Sequence, residues 1–338
     1  MRPECGRLHR FLPEASLAGD GEGPAMLGAS RVGLQVPADS VPGLPTQHIL
    51  APLLDGAPVE AWFGRGACRT GKAHGVSFRC DGELLFGVIE LAEAAFAGDA
   101  VATPLQQAGQ QAYGSLFRVL AEEGFPHLWR VWNYLGDING ETMGLERYRQ
   151  FNIGRHQAFE AAGRLDMDSI PAASALGVAG GPLSIAFLAG RVPAQPVENP
   201  RQMSAYRYPA EYGPRSPTFS RAALGRLSGE EWLFVSGTAS IVGHHSVHHG
   251  DPVAQTREIV ANLEALLAEA SRRTDGPAYR LDELSARVYV RHPEDYPAVR
   301  AELAGALGAA APVVYLQADV CRADLLVEVE AQACHLLT

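Results

Sequence analysis

The amino-acid sequence predicts an α+β fold in which two tandem units, each a mixed sheet with helices packed on one face, share a pocket. Three observations support this prediction. The order β-β-α-β-α-β-β is found in residues 76–189 and again in residues 219–333. The strand segments are short apolar or alternating runs, whereas the helical segments carry apolar side chains at helical spacing. The stretch that joins the two copies is rich in arginine and tyrosine, and it lies where a site between the units would be lined.

The first predicted domain, residues 1–195, combines an N-terminal extension with a degenerate copy of the unit. Residues 1–60 are rich in glycine and proline and predict short strands and loops that cover a neighbouring domain. In the copy itself, Asp81-Gly82 predicts a tight hairpin turn. The remaining predicted elements are, in order, a helix over residues 104–124, the strand LWRVWNYL, a helix over residues 145–162, and a hairpin of PAASALGV with PLSIAFLA.

The second predicted domain, residues 196–338, repeats the same order of elements. Its long helix is amphipathic, because apolar side chains recur at Ile259, Leu263, Leu266 and Leu267, a spacing of i, i+4, i+7 and i+8. The predicted elements are, in order, a hairpin of FSRAALGRL with EEWLFVSGTASIV, that helix over residues 252–270, the strand ELSARVYV, a helix over residues 295–307, and a hairpin of VVYLQADV with LLVEVEAQA.

Two glutamates distinguish the second copy from the first. When PLSIAFLA is aligned with DLLVEVEA, Glu328 stands where the first copy has Ala186, and Glu330 stands where it has Leu188. The alternation of a strand places both glutamates on one face. Two interpretations are open: both acids face water on a half-buried strand, or they belong to a site. Since only the second copy carries them, one competent site is expected rather than two.

The linker Asn199–Ala222 contains four arginines, three tyrosines and four prolines against a single acid. Prolines at this density exclude a helix, and guanidinium groups bind carboxylates in a bidentate manner. The linker is therefore either a solvated basic loop or a cradle for a small, ring-containing polyanion. Its position between the two copies favours the cradle. Arg201 and Arg215, which adjoin prolines, are predicted to bind the anion together with Tyr206 and Tyr212.

Composition and charge disfavour several classes of function. The chain has 338 residues, a net charge of −10 and 47% hydrophobic residues, which is typical of a globular protein and disfavours binding to nucleic acid or to an anionic membrane. No apolar stretch is long enough to span a membrane. The five cysteines are odd in number and widely spaced, which predicts reduced thiols in a cytoplasmic protein rather than a disulfide framework or a zinc site.

The histidine-rich segment HHSVHH, residues 244–249, is the candidate for a metal site. Histidines at i and i+4 bind a metal together when the segment is helical. Gly243 and Gly250 bracket this segment, however, which predicts a loop, and no third ligand is evident. We therefore expect no metal here, and we interpret the segment as a surface or substrate-capping loop.

Longer motifs carry a resemblance to a known family. The second copy resembles a RidA/YjgF-type domain, because Gly250-Asp251 and Gln255-Thr256 open its long helix, Asn262 lies within the helix, and a VEVEA strand follows. The whole chain resembles the chorismatases, which cleave chorismate and have that fold. The segments that carry this resemblance, which covers roughly residues 60–338, are ENPRQMSAYRYPAEYGPRSPTFSRA (198–222), FVSGTASIVGHHSVHHGD (234–251) and QADVCRADLLVEVEAQA (317–333).

The resemblance implies an enzyme that converts chorismate to 3-hydroxybenzoate and pyruvate without a cofactor. Glu328, the first glutamate of VEVEA, matches the general acid of the family, which protonates the enolpyruvyl methylene. Gly237 in SGTAS and Cys321, seven residues before the acid, match the group that forms 3-hydroxybenzoate. Arg155 in RYRQFNIGRHQAF is implied to contact the substrate. Two units in one chain, in place of separate subunits of the RidA trimer, favour a monomer.

Other functions stay open at this point. A related group of chorismatases yields both 3- and 4-hydroxybenzoate, and hydrolytic members release a dihydroxycyclohexadiene carboxylate. A RidA-like fold also allows an imine or enamine deaminase, or a non-catalytic module that binds aromatic carboxylates. The role of Cys321 carries a geometric condition. If Arg322-Ala323 were a tight turn, Glu328 would lie about 10–13 Å up the hairpin, and Cys321 would reach the same ligand only if the hairpin is bulged or the ligand lies along it.

Overall fold

In a computed structural model of the chain, residues 8–14, 16, 25–36, 41–99 and 101–337 are described. Within these ranges the chain forms sheets of four, six and seven strands, two small two-stranded sheets and four α-helices. The predicted α+β class with two tandem units is confirmed. None of the helices in these ranges combines the length and the apolar character that crossing a membrane requires.

The N-terminal segment forms short strands, as predicted. They are β1 (His9–Leu12), β2 (Met26–Val32), β3 (Thr46–Ile49), β4 (Leu53–Asp55) and β5 (Val59–Phe63). Four of them form a sheet in the order β1-β5-β2-β3. Strand β4 is not part of this sheet but pairs with the edge strand β20 (Val313–Gln317) of the second unit. The extension is therefore joined to the second unit by backbone hydrogen bonds as well as by packing.

The first unit is a six-stranded sheet with two helices. Its elements are β6 (Arg69–Ala73), β7 (Val76–Cys80), β8 (Leu84–Leu91), α1 (Pro104–Glu123), β9 (His127–Gly136), β10 (Glu141–Thr142), β11 (Leu145–Glu146), α2 (Arg147–Ala161), β12 (Ala172–Val178) and β13 (Leu183–Gly190). Helix α1 begins where Thr103 accepts a hydrogen bond from the Gln106 amide, and it ends at Gly124, which has a φ of 74°. The strand order is β12-β9-β13-β8-β7-β6.

The second unit repeats this topology. Its elements are β14 (Gln195–Val197), β15 (Ala222–Leu227), β16 (Glu230–Ala239), β17 (Ile241–Val242), β18 (His245–Ser246), α3 (Pro252–Ser271), β19 (Ser285–Val290), α4 (Tyr296–Leu307), β20 (Val313–Gln317) and β21 (Val327–Leu336). Its sheet has the order β14-β15-β16-β21-β19-β20-β4. The run β15-β16-β21-β19-β20 corresponds strand for strand to β7-β8-β13-β9-β12 of the first unit, which confirms the predicted repeat.

Two of the predicted hairpins are wrong. PAASALGV and PLSIAFLA are adjacent in sequence, but β9 lies between the strands that they form. In the same way, β19 separates β20 from β21. The reason is that β12 pairs in parallel with β9, and β20 in parallel with β19, after a crossover through a helix. Sequence adjacency therefore does not predict strand pairing at these places.

The two units face each other through their sheets, with the helices outside. One apolar core lies between the first sheet and its helices, another between the second sheet and its helices, and a third between the sheets. This third core contains Trp62 of β5, Trp132 of β9 and Trp232 of β16, one from each large sheet. The centroid of Trp62 lies 5.5 Å from that of Trp132 and 6.2 Å from that of Trp232. All three sheets thus share one central core.

The cysteines differ in part from the prediction of reduced thiols. Cys68, Cys80 and Cys321 are free, as predicted. Cys334 is disulfide-bonded, so the prediction is wrong for this residue. Cys5 lies outside the described residues.

Candidate active site

A cavity of about 260 Å³ lies between the two units. Its lining residues are Glu146, Tyr148, Arg149, Tyr208, Tyr212, Pro217, Phe219, Arg221, Gly237, Ala239, Ile241, Cys321, Arg322, Ala323 and Glu328. A narrow extension of about 30 Å³ shares Glu328, Gly237, Cys321, Tyr148 and Phe219 with it. This extension is also lined by Arg155 and Ser174, so it runs from the main cavity towards the first unit.

Glu328 stands on the central strand of the second sheet. In β21 it is paired with Ala239 of β16 and Tyr289 of β19. The neighbouring Val327 and Val329 point to the other face, where they pack in the core beneath the helices, so the predicted alternation is confirmed. The Glu328 side chain does not face water, since the residue is 3% exposed. Burial, and next the nearby Glu330 carboxylate, raise the pKa of Glu328 to about 8, although Arg130 and Arg221 act against this rise.

Glu330 is buried like Glu328, but it is fully paired. Arg130 donates to its Oε2 at 2.6 Å and Ser174 Oγ donates to the same atom at 2.5 Å. Arg287 Nη1 lies 3.4 Å from Oε1. In contrast, no hydrogen bond to the Glu328 carboxyl group is found within the described part of the chain. Two glutamates on one strand face therefore have different environments: Glu330 is held by charged and polar donors, whereas Glu328 is in a buried site that favours its neutral acid.

Gly237 lies directly against the acid. It is in a bulge of β16, where the register with β21 shifts between Val235 and Thr238. A Cβ at this position would lie 2.7 Å from Cδ of Glu328 and would overlap with its Oε1. The absence of a side chain at Gly237 is thus what allows the Glu328 carboxyl group to occupy the floor of the cavity.

Cys321 also lines the cavity, because β20 and β21 do not form a hairpin. The turn in the segment between them lies one residue later than assumed, with the Leu325 amide donating to the Arg322 carbonyl at 3.1 Å. Arg291 donates hydrogen bonds to the carbonyls of Val320, Arg322 and Leu325, so the segment is folded around its guanidinium group. Cys321 therefore reaches the cavity without the bulged hairpin, or the ligand lying along the hairpin, that a tight turn would have required. Burial, and next the proximity of Glu328, raise the pKa of the Cys321 thiol to about 12, so it is neutral at physiological pH.

Arg322 forms part of the outer wall. Its guanidinium carbon lies 4.0 Å from the centroid of the Tyr212 ring. Its Nη1 donates to the His244 carbonyl at 2.8 Å and to Ser246 Oγ at 3.2 Å. Its Nη2 is buried and has no partner among the described residues. A charged donor is therefore available for an anion in the cavity.

Arg221 forms the wall next to Arg322. Its Nη2 donates to the Met203 carbonyl at 2.7 Å and to the Tyr208 hydroxyl at 2.8 Å. Its Nε is buried and is without a hydrogen-bond partner in the described ranges. The Arg221 guanidinium also lies over the Phe219 ring, 5.3 Å from its centroid. Aromatic rings thus orient both guanidinium groups.

The structure brings some of the predicted binding residues together and leaves others apart. Tyr212 lines the main cavity and Arg155 lines the extension. Arg201 does not line the cavity, because it pairs with Glu258 of α3. Tyr206 donates to Met167 Sδ at 3.4 Å on the exposed surface. Arg215 is exposed and also lies off the cavity wall.

Sequence reasoning missed Arg221, Arg322 and Arg149 as cavity residues. Arg221 lies in the same linker as Arg201 and Arg215, and no local signal separates it from them. Arg322 directly follows Cys321 on a loop. Its position next to a predicted site residue is a signal that could have identified it. Two motif residues help to form the site without lining it. Gln255 holds the Cys321 loop through the Leu326 amide at 2.8 Å, and Asn262 donates to the carbonyls of Ala239 and Ile241.

The histidine-rich segment forms a loop with the short strands β17 and β18. Its side chains have separate carboxylate neighbours: His248 lies 3.2 Å from Glu258, and His249 lies 3.4 Å from Asp324. His244 Nδ1 lies 3.3 Å from the Tyr212 hydroxyl at the edge of the cavity. Across the described ranges, no group of three or more His, Cys, Asp or Glu side chains could hold a metal ion.

Comparison with known proteins adds to this geometry. Residues 60–189 match the family described as chorismatase FkbO/Hyg5-like, N-terminal. A 3-hydroxybenzoate synthase of Streptomyces hygroscopicus is 39% identical over 283 residues, which is 80% of each chain. A chorismatase of Streptomyces rapamycinicus is 38% identical over 279 residues, again 80% of each chain. A chorismatase crystal structure superposes with a TM-score of 0.85 at 34% identity, covering 96% of this chain and 97% of the other.

The fold and the cavity define a class: two repeated α+β units that enclose an arginine-walled site with a buried carboxyl group whose pKa is raised. The chorismatase of known structure shares the fold of these two units over 97% of its chain. The chain belongs to the chorismatase family, as its motifs predicted.

Proposed function

We propose that the protein converts chorismate to 3-hydroxybenzoate and pyruvate. The observation that carries this proposal is Glu328, a buried carboxyl group whose pKa of about 8 keeps it protonated at neutral pH, in a cavity walled by arginines. A proton donor for a carbon atom and cations for two carboxylates are what the cleavage of an enolpyruvyl ether dianion requires. The relative named 3-hydroxybenzoate synthase supports this product.

In the first step, Glu328 donates its proton to the methylene carbon of the enolpyruvyl group. The electron pair for the new C–H bond comes from the enol ether, which becomes an oxocarbenium ion. An acid with an ordinary pKa would be ionised at pH 7 and could not donate, so the raised pKa is essential for this step. No arginine hydrogen-bonds to the Glu328 carboxyl group within the described residues, which is consistent with its role as a neutral acid.

In the second step, the ring hydroxyl oxygen attacks the neighbouring ring carbon and the bond from that carbon to the ether oxygen breaks. Pyruvate leaves with the bond electrons, and the hydroxyl proton returns to the Glu328 carboxylate. The resulting arene-oxide-like intermediate opens and loses a ring proton to become 3-hydroxybenzoate. No water is consumed. Gly237 and Cys321, two small residues beside the acid, leave space for the ring to lie against Glu328 in this geometry.

We propose that Arg221 and Arg322 hold the substrate carboxylates, with Arg149 at the rim and Arg155 at the inner extension. Arg221 and Arg322 each have a buried nitrogen without a partner in the described ranges, and Arg155 has another. Tyr212 stacks on Arg322 and thereby fixes its direction. For Arg201, Tyr206 and Arg215, which do not line the cavity, we propose no direct contact with substrate.

The experiment that tests the function is incubation of the purified protein with chorismate, followed by chromatography of the products. We expect 3-hydroxybenzoate and pyruvate in equal amounts. A mixture with 4-hydroxybenzoate would indicate the bifunctional type, and a dihydroxycyclohexadiene carboxylate would indicate the hydrolytic type. Chorismate that is bound but recovered unchanged would contradict catalysis and would favour a binding module.

We also propose that the chain divides between residues 195 and 196 and acts as a monomer in the cytoplasm. A division close to this point is supported by β13, the last strand of the first unit along the chain, which ends at Gly190, and by β14 (Gln195–Val197), which pairs with β15 and so begins the second sheet at Gln195. The monomer is supported by the central core, which three sheets of one chain form together. Light scattering tests the mass in solution, and cell fractionation tests the location.

A further inference from the structure

We propose that Glu60, a residue of the N-terminal extension, is a positioning residue for the acid: its charge closes an ionic chain through Arg287 to Glu330 and so controls the protonation of Glu328. This inference rests on the proposed function, in which Glu328 is the proton donor. It assigns a part in the reaction to a strand that belongs to neither of the two repeated units.

The chain of charges is continuous across all three sheets. Glu60 on β5 pairs with Arg287 on β19, and Arg287 Nη1 lies 3.4 Å from Glu330 on β21. Arg130 on β9 donates to Glu330 at 2.6 Å. The exposed fraction of each of these four residues is 3% or less. Two glutamates and two arginines thus form a buried cluster with no net charge, and Glu328 lies two residues from Glu330 on the same face of β21.

Glu60 is held firmly in this cluster. His9 Nε2 of β1 lies 2.6 Å from its Oε1, and Gln332 Nε2 donates to the same oxygen at 3.3 Å. The positive charge of Arg287, together with the His9 contact, lowers the pKa of Glu60 to about 2 against the opposing effect of burial. Glu60 is therefore ionised throughout the physiological range and is a permanent negative charge behind the acid.

The structure also explains why a compensating charge is needed there. Arg130 and Arg287 both pair with Glu330 in the core, and two arginines against one glutamate would leave a surplus positive charge. A positive surplus beside Glu328 would favour its carboxylate. Glu60 removes this surplus. Burial and Glu330, which raise the pKa of Glu328, then outweigh Arg130 and Arg221, which lower it.

Other charged and titratable groups surround Glu328 and Glu330 from every element packed against them. They are Arg130 and Tyr134 of β9, Glu146 of β11, Tyr148, Arg149 and Arg155 of α2, Arg221 before β15, Arg287 and Tyr289 of β19, and Cys321 and Arg322 before β21. Those on the cavity wall are unchanged by a substitution at Glu60. The difference between variants at Glu60 and Arg287 therefore isolates the effect of the ionic chain.

The test is a charge series: Glu60→Gln, Arg287→Gln and the double variant Glu60→Gln/Arg287→Gln. The pKa of Glu328 is measured by infrared titration of its protonated carbonyl stretch, identified by its loss in Glu328→Gln, and by the alkaline limb of kcat/KM with chorismate. Glu60→Gln leaves a surplus positive charge. It is expected to lower both the pKa of Glu328 and the pH of the alkaline limb by about 0.5 to 1 pH unit. Arg287→Gln leaves a surplus negative charge and is expected to move both upward. The double variant is expected to return close to the wild-type value.

Trp62→Phe, on the same strand as Glu60, is the control for packing. It is expected to lower the melting temperature of the protein without moving the pKa of Glu328. Unchanged values in both single variants, or shifts of the same sign, would overturn the inference. If Glu60→Gln does not fold, Arg287→Gln still tests the sign. If neither single variant folds, the double variant alone decides. A pKa of Glu328 in the double variant that differs from the wild-type pKa by more than the expected shift would overturn the inference. The infrared titration does not need turnover, so a protein that fails to consume chorismate would contradict the proposed function alone.

Discussion

The substitution Gly237→Ala tests how closely the acid is packed against strand β16. An added Cβ would lie 2.7 Å from Cδ of Glu328 and 3.3 Å from Cβ of Ser174. Since carbon atoms in contact lie about 3.5–4.0 Å apart, the Glu328 carboxyl group has to move by roughly 1 Å. The φ of Gly237 is not in the left-handed region, so the backbone accepts alanine and the effect falls mainly on the acid, with a smaller contact at Ser174.

A displacement of this size has a measurable cost. Overpacking a buried site typically lowers the free energy of unfolding by about 1–3 kcal/mol, and a misplacement of about 1 Å can lower the rate about 100-fold. We therefore expect kcat for chorismate consumption to fall by about 10- to 100-fold. Because the ring hydroxyl is no longer aligned for attack, the product is expected to shift from 3-hydroxybenzoate towards the dihydroxycyclohexadiene carboxylate.

The assay is steady-state turnover of chorismate with chromatography of the products, beside thermal unfolding. Gly225→Ala on the neighbouring strand β15 is a matched control, because its Cβ would meet the Trp129 ring rather than the acid. This control is expected to lose stability but to keep the product ratio. A Gly237→Ala protein that turns over chorismate at the wild-type rate, with unchanged products, would refute the reasoning.

Two further predictions concern the acid and the arginine wall. Glu328→Gln is expected to abolish turnover and yet to stabilise the fold. The pKa of Glu328 rises from 4.5 to about 8 on folding, so between these pH values the group is neutral in the folded protein but ionised in the unfolded chain. In the wild type this lowers the free energy of unfolding as the pH rises, by about 3 kcal/mol at pH 7. Denaturant titrations should find no difference between variant and wild type at pH 4 and a growing one towards pH 8; retained turnover would exclude Glu328 as the donor. Arg322→Met is expected to raise KM for chorismate by about 10- to 100-fold, since a charge-assisted hydrogen bond contributes about 1.5–3 kcal/mol, whereas Arg201→Met, off the cavity wall, should leave KM unchanged. Equal effects of the two arginine variants in steady-state kinetics would argue against this assignment.

The sequence predicted the repeated units because their signals are local. Helix α1 lies between Pro104 and Gly124, and β21 alternates with a period of two, so both could be inferred from a few neighbouring residues. The pairing of β12 with β9, and of β20 with β19, depends on contacts between distant segments. No local pattern distinguishes such a crossover from a hairpin, which explains the two wrong hairpins.

The same distinction applies to the cavity. Glu328, Gly237 and Cys321 could be found because they stand in long motifs of the family. The choice among the linker arginines could not be made, because it depends on which side chain turns towards the second sheet and which turns towards Glu258 of α3. The role of Glu60 was equally hidden. Glu60 lies in a segment rich in glycine and proline, and no neighbouring residue indicates that its partner is Arg287, far along the chain.

Strand β21 has a consequence for how the molecule could be divided. It follows every other strand of its sheet in sequence, yet it lies between β16 and β19 and carries both glutamates. A chain opened in the segment before Val327 would therefore keep two facing strand edges with unpaired amides and carbonyls. Such a gap accepts one strand of matching pattern. A peptide with the sequence of Val327–Leu336 would fill it and bring the proton donor with it, so that the two pieces would form a split enzyme whose activity reports their association.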